Sequence, residues 1–472
     1  MVINLANRDL ITIEDLSNQE IEGIFALADE MAGSMREQFG VCQGKVMASL
    51  FFEPSTRTRM SFETAMNRLG GRVISVMEMS NTSLAKGESI ADMARVVGSY
   101  ADIIVIRHPW EGVAKVVADY ADVPVINAGD GGHEHPSQTL LDLYTLKKEK
   151  KTLEGLKIAL WGDLKYGRTV HSLACALARF GATIHFRPSP GLEMPEHMIR
   201  KLTTEYAGRL ERYNGPKEVE EGGLIPLDAI YVTPSAPHQL ANIPAVGIQF
   251  ELEKGVDALY VTRLQRERLE ADAEGGKKYP IVDRKLFRGK AFKETIVMHP
   301  LPRVGELAYE MDTDPRSMYF KQAASGVPIR MALLSLLLGA KTVEIPDRQV
   351  PSFAQRKEYP LYKRDTGIKC QNKRCVSVQD TEREYIKHEF QIVSNQPLTL
   401  RCVYCEHEIH PPYIASSKWH QGLVQNKRYY KADSFMLKRI KPENLIIFDS
   451  EVEAQRQGFK LGKRDKTLKN AK

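Results

Sequence analysis

The segment Phe51-Phe-Glu-Pro-Ser-Thr-Arg-Thr58 places phosphate-binding residue types at a predicted junction between a strand and a helix. The first turn of a helix offers unpaired backbone N–H groups and the positive end of the helix dipole, which suit a dianionic phosphate. Ser55, Thr56 and Thr58 add hydroxyl donors, and Arg57 adds a charge-assisted guanidinium fork. A Ser-Thr pair at a helix start is by itself more often a plain N-cap beside a surface arginine, so the interpretation needs further groups.

Two further anion-binding groups follow other predicted strands. Arg107 ends the apolar run Asp102-Ile-Ile-Val-Ile106, and His135-Pro-Ser-Gln138 lies between a predicted strand and a predicted helix. A lone histidine is more often structural. However, α/β sheets bind ligands at the carboxyl ends of their strands. Three such groups at successive strand ends therefore predict one anion site.

A second set of cationic residues indicates a different ligand. Arg168 lies in a predicted strand-to-helix turn, and Val261-Thr-Arg-Leu-Gln265 presents Arg263 and Gln265 after another strand. Two arginines that face one cleft suit a substrate with two carboxylates, because each guanidinium can bind one carboxylate bidentately. They would repel a substrate with a cationic side chain. The alternative is that they are surface arginines paired with carboxylates such as Glu267.

The six cysteines are distributed unevenly along the chain. Cys42 and Cys175 stand alone, whereas the other four form two close pairs, Cys370 with Cys375 and Cys402 with Cys405. The N-terminus lacks a secretory signal pattern, and close pairs in such a chain favour a metal over disulfides. Four thiolates complete a tetrahedral shell, so a structural zinc is predicted, with unpaired reduced cysteines as the alternative.

Short β-branched runs alternate with helical stretches over the first 340 residues, which is typical of α/β domains. The fold class predicted is α/β, with two doubly wound parallel-sheet domains and a small zinc-binding β domain. The predicted strands are 45–52, 72–77, 102–107, 123–127, 157–161 and 183–186, and the predicted helices are 59–69, 90–100, 138–148, 169–180 and 329–338. Two similar segments, Asp228-Ala-Ile-Tyr-Val-Thr233 and Asp257-Ala-Leu-Tyr-Val-Thr262, both read as strands.

Composition shifts divide the chain into five parts. They are a phosphate-binding domain at 1–150 with a return helix at about 325–340, a second α/β domain at 151–310, a linker at 341–360, a zinc-binding domain at 361–425 and a basic tail at 426–472. The tail carries the excess that gives the net charge of +6. No apolar run approaches the ~20 residues that span a bilayer. A cytoplasmic location is therefore expected.

The combination of Ser55-Thr-Arg-Thr58, Arg107-His-Pro109 and His135-Pro-Ser-Gln138 resembles the carbamoyl-phosphate signature of aspartate and ornithine carbamoyltransferases. The resemblance implies that phosphate is bound by Ser55, Thr56, Arg57, Thr58 and Arg107. It also implies that Thr58, Arg107 and His135 polarise the carbonyl oxygen and that Gln138 binds the carbamoyl nitrogen. Arg57, Thr58, Arg107 and His135 are thus the implied catalytic residues.

The acceptor motifs resemble the aspartate enzymes, which carry Arg-x-Gln and a His-Pro-Leu-Pro motif, here His299-Pro-Leu-Pro302. The ornithine enzymes typically carry His-Cys-Leu-Pro and a Ser-Met-Gly loop, which this sequence lacks. By resemblance the aspartate-binding residues are Lys86, Arg168, Arg263, Gln265, Leu301 and Pro302. The implied activity forms N-carbamoyl-L-aspartate in pyrimidine biosynthesis, without a catalytic metal or organic cofactor.

Resemblance also implies an assembly. In this family the loop seen here as Ser83-Leu-Ala-Lys-Gly-Glu88 enters a neighbouring subunit's site. Ser83 and Lys86 therefore imply a homotrimer with shared sites that bind carbamoyl phosphate and aspartate. Glu53, Arg168 and Arg268 are implied to hold the domains closed.

The cysteine segment resembles the zinc domain of the separate regulatory chain of many bacterial aspartate carbamoyltransferases. The short linker leaves no room for that chain's nucleotide-binding domain, so nucleotide control through it is not expected. The hypothesis is instead that the zinc domain bridges or stiffens catalytic trimers. Two alternatives remain open: a carbamoyltransferase with another acceptor, and a zinc-ribbon protein that binds nucleic acid through its basic tail.

Overall fold

The computed structural model describes most of the chain. The described residues are 1–33, 40–77, 86–150, 152–165, 167–189, 191–206, 209–212, 227–233, 255–263, 281–288, 292–346, 358–380, 385–418 and 427–462. The chain divides into two compact units. The first unit comprises Met1–Glu78, Val97–Arg107 and Asp122–Arg356, and the second comprises Met79–Val96, His108–Ala121 and Lys357–Lys472.

The N-terminal part of the first unit is built on a sheet that has four strands within the described ranges. In sheet order the strands are Arg72–Val76, Val46–Phe51, Ile103–His108 and Val125–Asp130. Val46–Phe51 pairs in parallel with both of its neighbours. Arg72–Val76 is partly exposed, whereas the apolar residues of the other three strands are mostly buried. The polar groups singled out by the sequence lie at or just after the carboxyl ends, as predicted for an α/β fold.

A second parallel sheet follows, with six strands among the residues described. In sheet order they are Ile296–Met298, Ala258–Val261, Ala229–Thr233, Lys157–Gly162, Thr183–Pro188 and Arg209–Arg212. The two similar sequence segments are adjacent strands paired in register, so that Tyr231 lies opposite Tyr260. Their rings stack with centroids 4.5 Å apart.

Helices cover these sheets and share one apolar core. The principal helices of the first unit are Asn18–Gly33, Thr56–Arg68, Pro136–Lys150, Arg168–Arg179 and Tyr319–Leu337. The last of these, the return helix, packs against the first three. Val343–Glu344, at the start of the predicted linker, pairs with Val2–Ile3.

The second unit contains most of the helix Ile90–Gly98, the helix Val113–Tyr120 and two small sheets. We call residues 358–410, which include the four paired cysteines, the cysteine module. Its sheet contains Leu361–Tyr362, Phe390–Asn395, Leu398–Cys402 and Glu408–Ile409. The described helices include none that is long and apolar enough to cross a membrane.

The C-terminal part of this unit differs from the predicted basic tail. Tyr413–Ser416, Arg428–Lys431, Leu445–Phe448 and Lys460–Leu461 form another four-stranded sheet, counted over the residues that can be described. Tyr429, Phe448 and Phe459 are buried in its core. The basic side chains from Lys427 to Lys460 therefore belong to a folded segment, and the predicted boundary at 425 falls between two strands of one sheet.

Candidate functional site

The predicted phosphate-binding segment lies where two neighbouring strands end. Phe51 and Arg107 are paired in register at the carboxyl edge of the first sheet, and the Phe52 N–H donates to the Arg107 carbonyl over 2.8 Å. Ser55 occupies the N-cap position of helix Thr56–Arg68, but its side chain makes no capping hydrogen bond. The plain-cap alternative is therefore not supported, and the helix start retains its capacity to bind an anion.

Arg107 and His135 converge beside Gly129. The Arg107 guanidinium is buried, with Nη1 donating to the Ala128 carbonyl over 3.1 Å and Nη2 lying 3.4 Å from Oε1 of Glu53. Gly129 has a φ of +121°, and a Cβ there would lie 2.8 Å from Arg107 Nη1 and 3.5 Å from Cδ2 of His135. The absent side chain lets both groups approach the same backbone, so they can act on one bound anion.

Arg57 links the phosphate-binding segment to the acceptor motifs. Its Nη2 donates to the Leu301 carbonyl over 2.6 Å. The pKa of the Arg57 guanidinium is lowered, first by burial and then by the positive charge of Arg263. Two guanidinium groups that repel each other, beside a serine and two threonines, form an electrostatic environment that favours anionic ligands.

Buried side chains hold the loop that carries Leu301, which has a φ of 53°. Nδ1 of His299 accepts from the Leu301 N–H over 2.8 Å, and Nε2 lies 2.8 Å from Oε1 of Glu306. Burial opposes ionisation of Glu306, but hydrogen bonds from His299 and the Val304 N–H hold its pKa below the ordinary value. The His-Pro-Leu-Pro motif thus fixes the direction of one backbone carbonyl.

Gln138 belongs to a buried polar network that the sequence did not reveal. Its Nε2 donates to Oδ1 of Asp142 over 2.8 Å. The same oxygen accepts from the Tyr260 hydroxyl over 2.9 Å and from Nε2 of Gln322 over 3.2 Å. The only available sequence signal was the i,i+4 spacing of Gln138 and Asp142 on one helix, because the other two donors come from distant segments.

For the remaining predicted site residues, the structure gives a position or an exposure but few contacts. Arg168 is the first residue of helix Arg168–Arg179. Pro302 is exposed next to Leu301, and Thr58 is buried while Thr56 is exposed. Lys86 is exposed and belongs to the second unit. Ser83, Gln265 and Arg268 lie outside the described residues.

The four paired cysteines form a compact, buried cluster. Their sulfur atoms all lie within 4.8 Å of one another, and none forms a disulfide. Sγ of Cys370 lies 3.5 Å from Sγ of Cys405, and Sγ of Cys375 lies 3.8 Å from Sγ of Cys402. A tetrahedral ion with bonds of about 2.3 Å separates its sulfurs by roughly 3.8 Å. The cluster therefore fits one tetrahedral metal ion.

Within the second unit the cysteine module contacts two segments from the catalytic half of the sequence. Glu111 exchanges backbone hydrogen bonds with Arg374 and Val376 over 2.8 and 2.9 Å. The Ile90 N–H donates to Oδ2 of Asp380 over 3.2 Å. The Arg95 guanidinium lies 4.7 and 4.8 Å from the ring centroids of Tyr120 and Tyr385. The module thus contacts the chain before and after the strand Ile103–His108.

Three family models match the chain. The model for the aspartate/ornithine carbamoyltransferase carbamoyl-P binding domain matches residues 8–148, and the model for the Asp/Orn binding domain of the same enzymes matches 247–337. The model for the metal binding domain of the aspartate carbamoyltransferase regulatory chain matches residues 365–414. The two catalytic models and one regulatory model thus occur in a single chain.

Curated relatives agree with the family models. The aspartate carbamoyltransferase catalytic subunit of Picrophilus torridus is 43% identical over 340 residues, covering 71% of this chain and 99% of the relative. The catalytic subunit of Thermococcus gammatolerans is 45% identical over 338 residues, covering 70% of this chain and 98% of the relative. Both similarities span nearly the whole of the relative.

Solved structures match the same part of the chain. The catalytic subunit of M. jannaschii aspartate transcarbamoylase gives a TM-score of 0.57 with 39% identity, covering 70% of this chain and 98% of that one. The aspartate transcarbamoylase from Trypanosoma cruzi, in complex with carbamoyl phosphate and aspartate, gives a TM-score of 0.57 with 34% identity. This match covers 71% of this chain and 96% of that one. Sequence, site geometry and comparisons together show that this chain belongs to the aspartate carbamoyltransferase family, with a regulatory-chain metal-binding domain in the same polypeptide.

Proposed function

We propose that the protein transfers the carbamoyl group of carbamoyl phosphate to the amine of L-aspartate, releasing phosphate and N-carbamoyl-L-aspartate for pyrimidine biosynthesis. The observation that carries the proposal is the position of Arg57, whose guanidinium donates to the Leu301 carbonyl and experiences the positive charge of Arg263. Phosphate-binding and acceptor-binding groups therefore belong to one site. Its excess of cationic groups suits two anionic substrates.

In the proposed mechanism the phosphate binds at the start of helix Thr56–Arg68 and contacts Arg57 and Arg107. Thr58, Arg107 and His135 donate to the carbonyl oxygen and stabilise the negative charge that develops on it. The neutral aspartate amine attacks the carbamoyl carbon, the tetrahedral intermediate collapses, the C–O bond to phosphate breaks, and the amine proton leaves with the departing phosphate. Catalysis rests on positioning two substrates and on donors directed at the oxyanion.

Acceptor selection follows from charge. Arg263 binds an aspartate carboxylate, and the Leu301 carbonyl receives the α-amine, with Arg168, Gln265 and Pro302 as the other predicted contacts. An ornithine side chain would place an ammonium group among guanidinium groups. The relative from Trypanosoma cruzi has been solved with carbamoyl phosphate and aspartate together, which supports the same pair of substrates here.

A zinc ion is the metal proposed for the cysteine cluster. Four cysteine sulfurs with tetrahedral separations are typical of structural zinc, and a closed shell leaves no position for a substrate. The ion would stabilise the cysteine module and so the contacts that Glu111 and Ile90 make with it. The role proposed for the module is therefore to stiffen the catalytic half of the chain.

A homotrimer is the assembly we propose, with Ser83 and Lys86 completing the site of a neighbour. Arg72–Val76 is an edge strand of the first sheet, and Ile74 and Met77 on this strand and just after it are 43% and 58% exposed. Met60, on the helix that contacts this strand, is 55% exposed. An apolar edge of this kind favours contact with a second copy of the chain.

The test is an assay of the purified full chain with carbamoyl phosphate and either aspartate or ornithine, together with the native mass. We expect carbamoyl-aspartate, a much slower reaction with ornithine, and a mass of three chains or a multiple of three. Arg263→Ala should raise the KM for aspartate more than the KM for carbamoyl phosphate. Turnover with ornithine but not aspartate would contradict the proposal.

A further inference from the structure

Asp142 is a buried carboxylate with no assigned role. It lies on helix Pro136–Lys150, one turn after Gln138, and the residue is 1% exposed. Three donors, one from the same helix and two from distant segments, meet at its Oδ1: Nε2 of Gln138, the hydroxyl of Tyr260 and Nε2 of Gln322. Burying a carboxylate is costly, so a site that retains one calls for an explanation beyond packing.

The direction of these bonds determines how two amide groups are oriented. An ionised carboxylate can only accept hydrogen bonds, so each amide must turn its nitrogen toward Asp142. For Gln138, this leaves Oε1 as the amide atom available to another ligand. For Gln322, Oε1 is turned to the His299 N–H, from which it accepts over 3.0 Å.

The two amides lead to different parts of the site. Gln138 is the residue predicted to bind the carbamoyl nitrogen, and a carbamoyl NH2 group needs an acceptor. Gln322 supports the backbone of His299, whose Nδ1 in turn accepts from the Leu301 N–H over 2.8 Å. The carbonyl of Leu301 receives Arg57. One carboxylate thus contacts, through one residue or two, the groups that flank both substrates.

We propose that Asp142 is a positioning residue that orients the Gln138 amide so that Oε1 accepts from the carbamoyl NH2 group, and that it supports the Leu301 loop through Gln322. This inference rests on the proposed function. The role is distinct from catalysis, because Asp142 touches neither substrate. It specifies a ligand with a donor at this position, and so favours a carbamoyl group over a carboxylate or an acetyl group in the same place.

Two substitutions test the positioning role of Asp142, and they differ in whether an acceptor oxygen remains at the position of its Oδ1. Asp142→Asn keeps an oxygen that can receive the same three donors, whereas Asp142→Ala removes it. We expect the KM for carbamoyl phosphate to rise at least about tenfold in Asp142→Ala, the size expected for losing one well-placed hydrogen bond. In Asp142→Asn we expect a rise of no more than about threefold.

Two controls separate positioning from general damage. Tyr260→Phe removes another donor to the same oxygen without touching Gln138, and should leave the KM for carbamoyl phosphate within about twofold of wild type. In a Gln138→Ala background, adding Asp142→Ala should produce little further change, because the group it orients is gone. Melting temperatures of all variants should be compared, so that lost folding is recognised.

The outcomes separate a failure of the proposed function from a failure of the role proposed for Asp142. If the wild-type chain forms no carbamoyl-aspartate, the proposed function itself fails. If the wild type is active but Asp142→Ala and Gln138→Ala raise the KM additively, Asp142 does not act through Gln138 and the inference is overturned. An equal effect of Tyr260→Phe and Asp142→Ala would also overturn it.

Discussion

Arg107 combines three features expected of a group that stabilises a developing oxyanion. It is buried, it lies at the carboxyl end of a strand, and both Ala128 and Glu53 restrict its guanidinium to one direction. A donor held in place before the reaction costs no reorganisation when the charge forms. The Glu53 carboxylate therefore helps to fix the direction of the Arg107 guanidinium.

Replacing this donor should affect the reaction much more than the fold. We predict that Arg107→Ala lowers kcat/KM by a factor of about 10² to 10³, the usual loss for one such donor. Glu53 is 26% exposed and can be hydrated once its partner is gone, so the melting temperature should change little. Arg59→Ala is a matched control, because Arg59 lies 3.7 Å from Glu63 on its own helix. An Arg107→Ala enzyme within tenfold of wild type would contradict the assignment.

Asp142 predicts a pH dependence of substrate binding. Burial raises the pKa of its carboxyl to about 7, with the three hydrogen bonds opposing the shift. A protonated Asp142 keeps one acceptor oxygen, as Asp142→Asn does, but also gains a donor that weakens the preference of Gln138 for one orientation. The KM for carbamoyl phosphate should therefore rise by no more than about threefold as the pH falls from 8 to 6. Tyr260 and Tyr231 face this carboxyl, and burial raises the pKa of each phenol, so neither titrates in this range. Asp142→Asn should lack this dependence.

The raised pKa of Asp142 affects the stability of the fold in the opposite direction from substrate binding. A carboxyl whose pKa rises from 3.8 to about 7 on folding binds protons more tightly in the native state. Its contribution to the free energy of unfolding is therefore largest in acid and falls as the pH rises through this interval. Loss of substrate binding below pH 7 would consequently not be explained by this group unfolding the protein.

Residues of the site differed in how far the sequence could predict them. Ser55–Thr58, Arg107, His135 and Gln138 each follow a strand with a clear apolar pattern, so their shared edge could be inferred locally. The network around Asp142 could not, because Tyr260 and Gln322 reach it from segments separated by 118 and 180 positions. Tertiary pairings of this kind have no signal in hydrophobic periodicity.

At the scale of elements, the long apolar strands were predicted closely and the short ones were not. The predicted strand 45–52 is observed as Val46–Phe51, and the predicted strand 183–186 as Thr183–Pro188. Arg428–Lys431 and Lys460–Leu461 are too short and too basic for their pattern to indicate strands. They form because Tyr413–Ser416 and its neighbours provide pairing partners from other parts of the chain.

Gly112, which precedes helix Val113–Tyr120, determines how closely the cysteine module can approach. It has a φ of +86°, and a Cβ there would lie 2.6 Å from Cβ of Tyr404 and 2.7 Å from its carbonyl oxygen. A substitution at this position therefore introduces both backbone strain and a clash with another backbone. A glycine elsewhere with similar φ separates these two effects.

Gly44 provides that comparison, because it has a φ of +82° and a Cβ added there would meet no atom within 4 Å. We predict that Gly112→Ala lowers the melting temperature more than Gly44→Ala, which carries only the strain of about 1 kcal/mol. Gly112→Ala should also speed proteolysis between the cysteine module and the catalytic half. Equal melting temperatures for the two variants would show that the close approach is unimportant.

At the scale of the whole molecule, one chain carries two catalytic domain types together with the metal-binding domain type of a regulatory chain. The catalytic relatives cover about 70% of this chain, and the regulatory-type domain follows within the same polypeptide. Covalent attachment keeps the local concentration of the module high at any protein concentration. Even weak contacts between the cysteine module and the catalytic half of the sequence can therefore persist without a separate regulatory subunit.

The contacts of the module suggest why this attachment is useful. The Ile90 N–H bonds to Asp380 shortly after Lys86, and Glu111 bonds to Arg374 and Val376 shortly after Arg107. Lys86 and Arg107, two predicted site residues, thus each precede a segment that contacts the module. We expect the metal ion to act through these contacts, since four sulfurs already complete its coordination.

Removal of residues 347–472 tests this role and leaves the pairing of Val343–Glu344 with Val2–Ile3 intact. We predict a lower melting temperature, a smaller native mass or weaker assembly, and a raised KM for carbamoyl phosphate, because the segment after Lys86 loses its restraint. Full-length Cys375→Ser should reproduce the kinetic change in proportion to its loss of zinc, measured by metal analysis, since breaking the cluster loosens the module without deleting it. If the truncated chain matched the full chain in stability, assembly and KM, the module would be dispensable to the catalytic half, and its contacts with Ile90 and Glu111 would have no functional consequence.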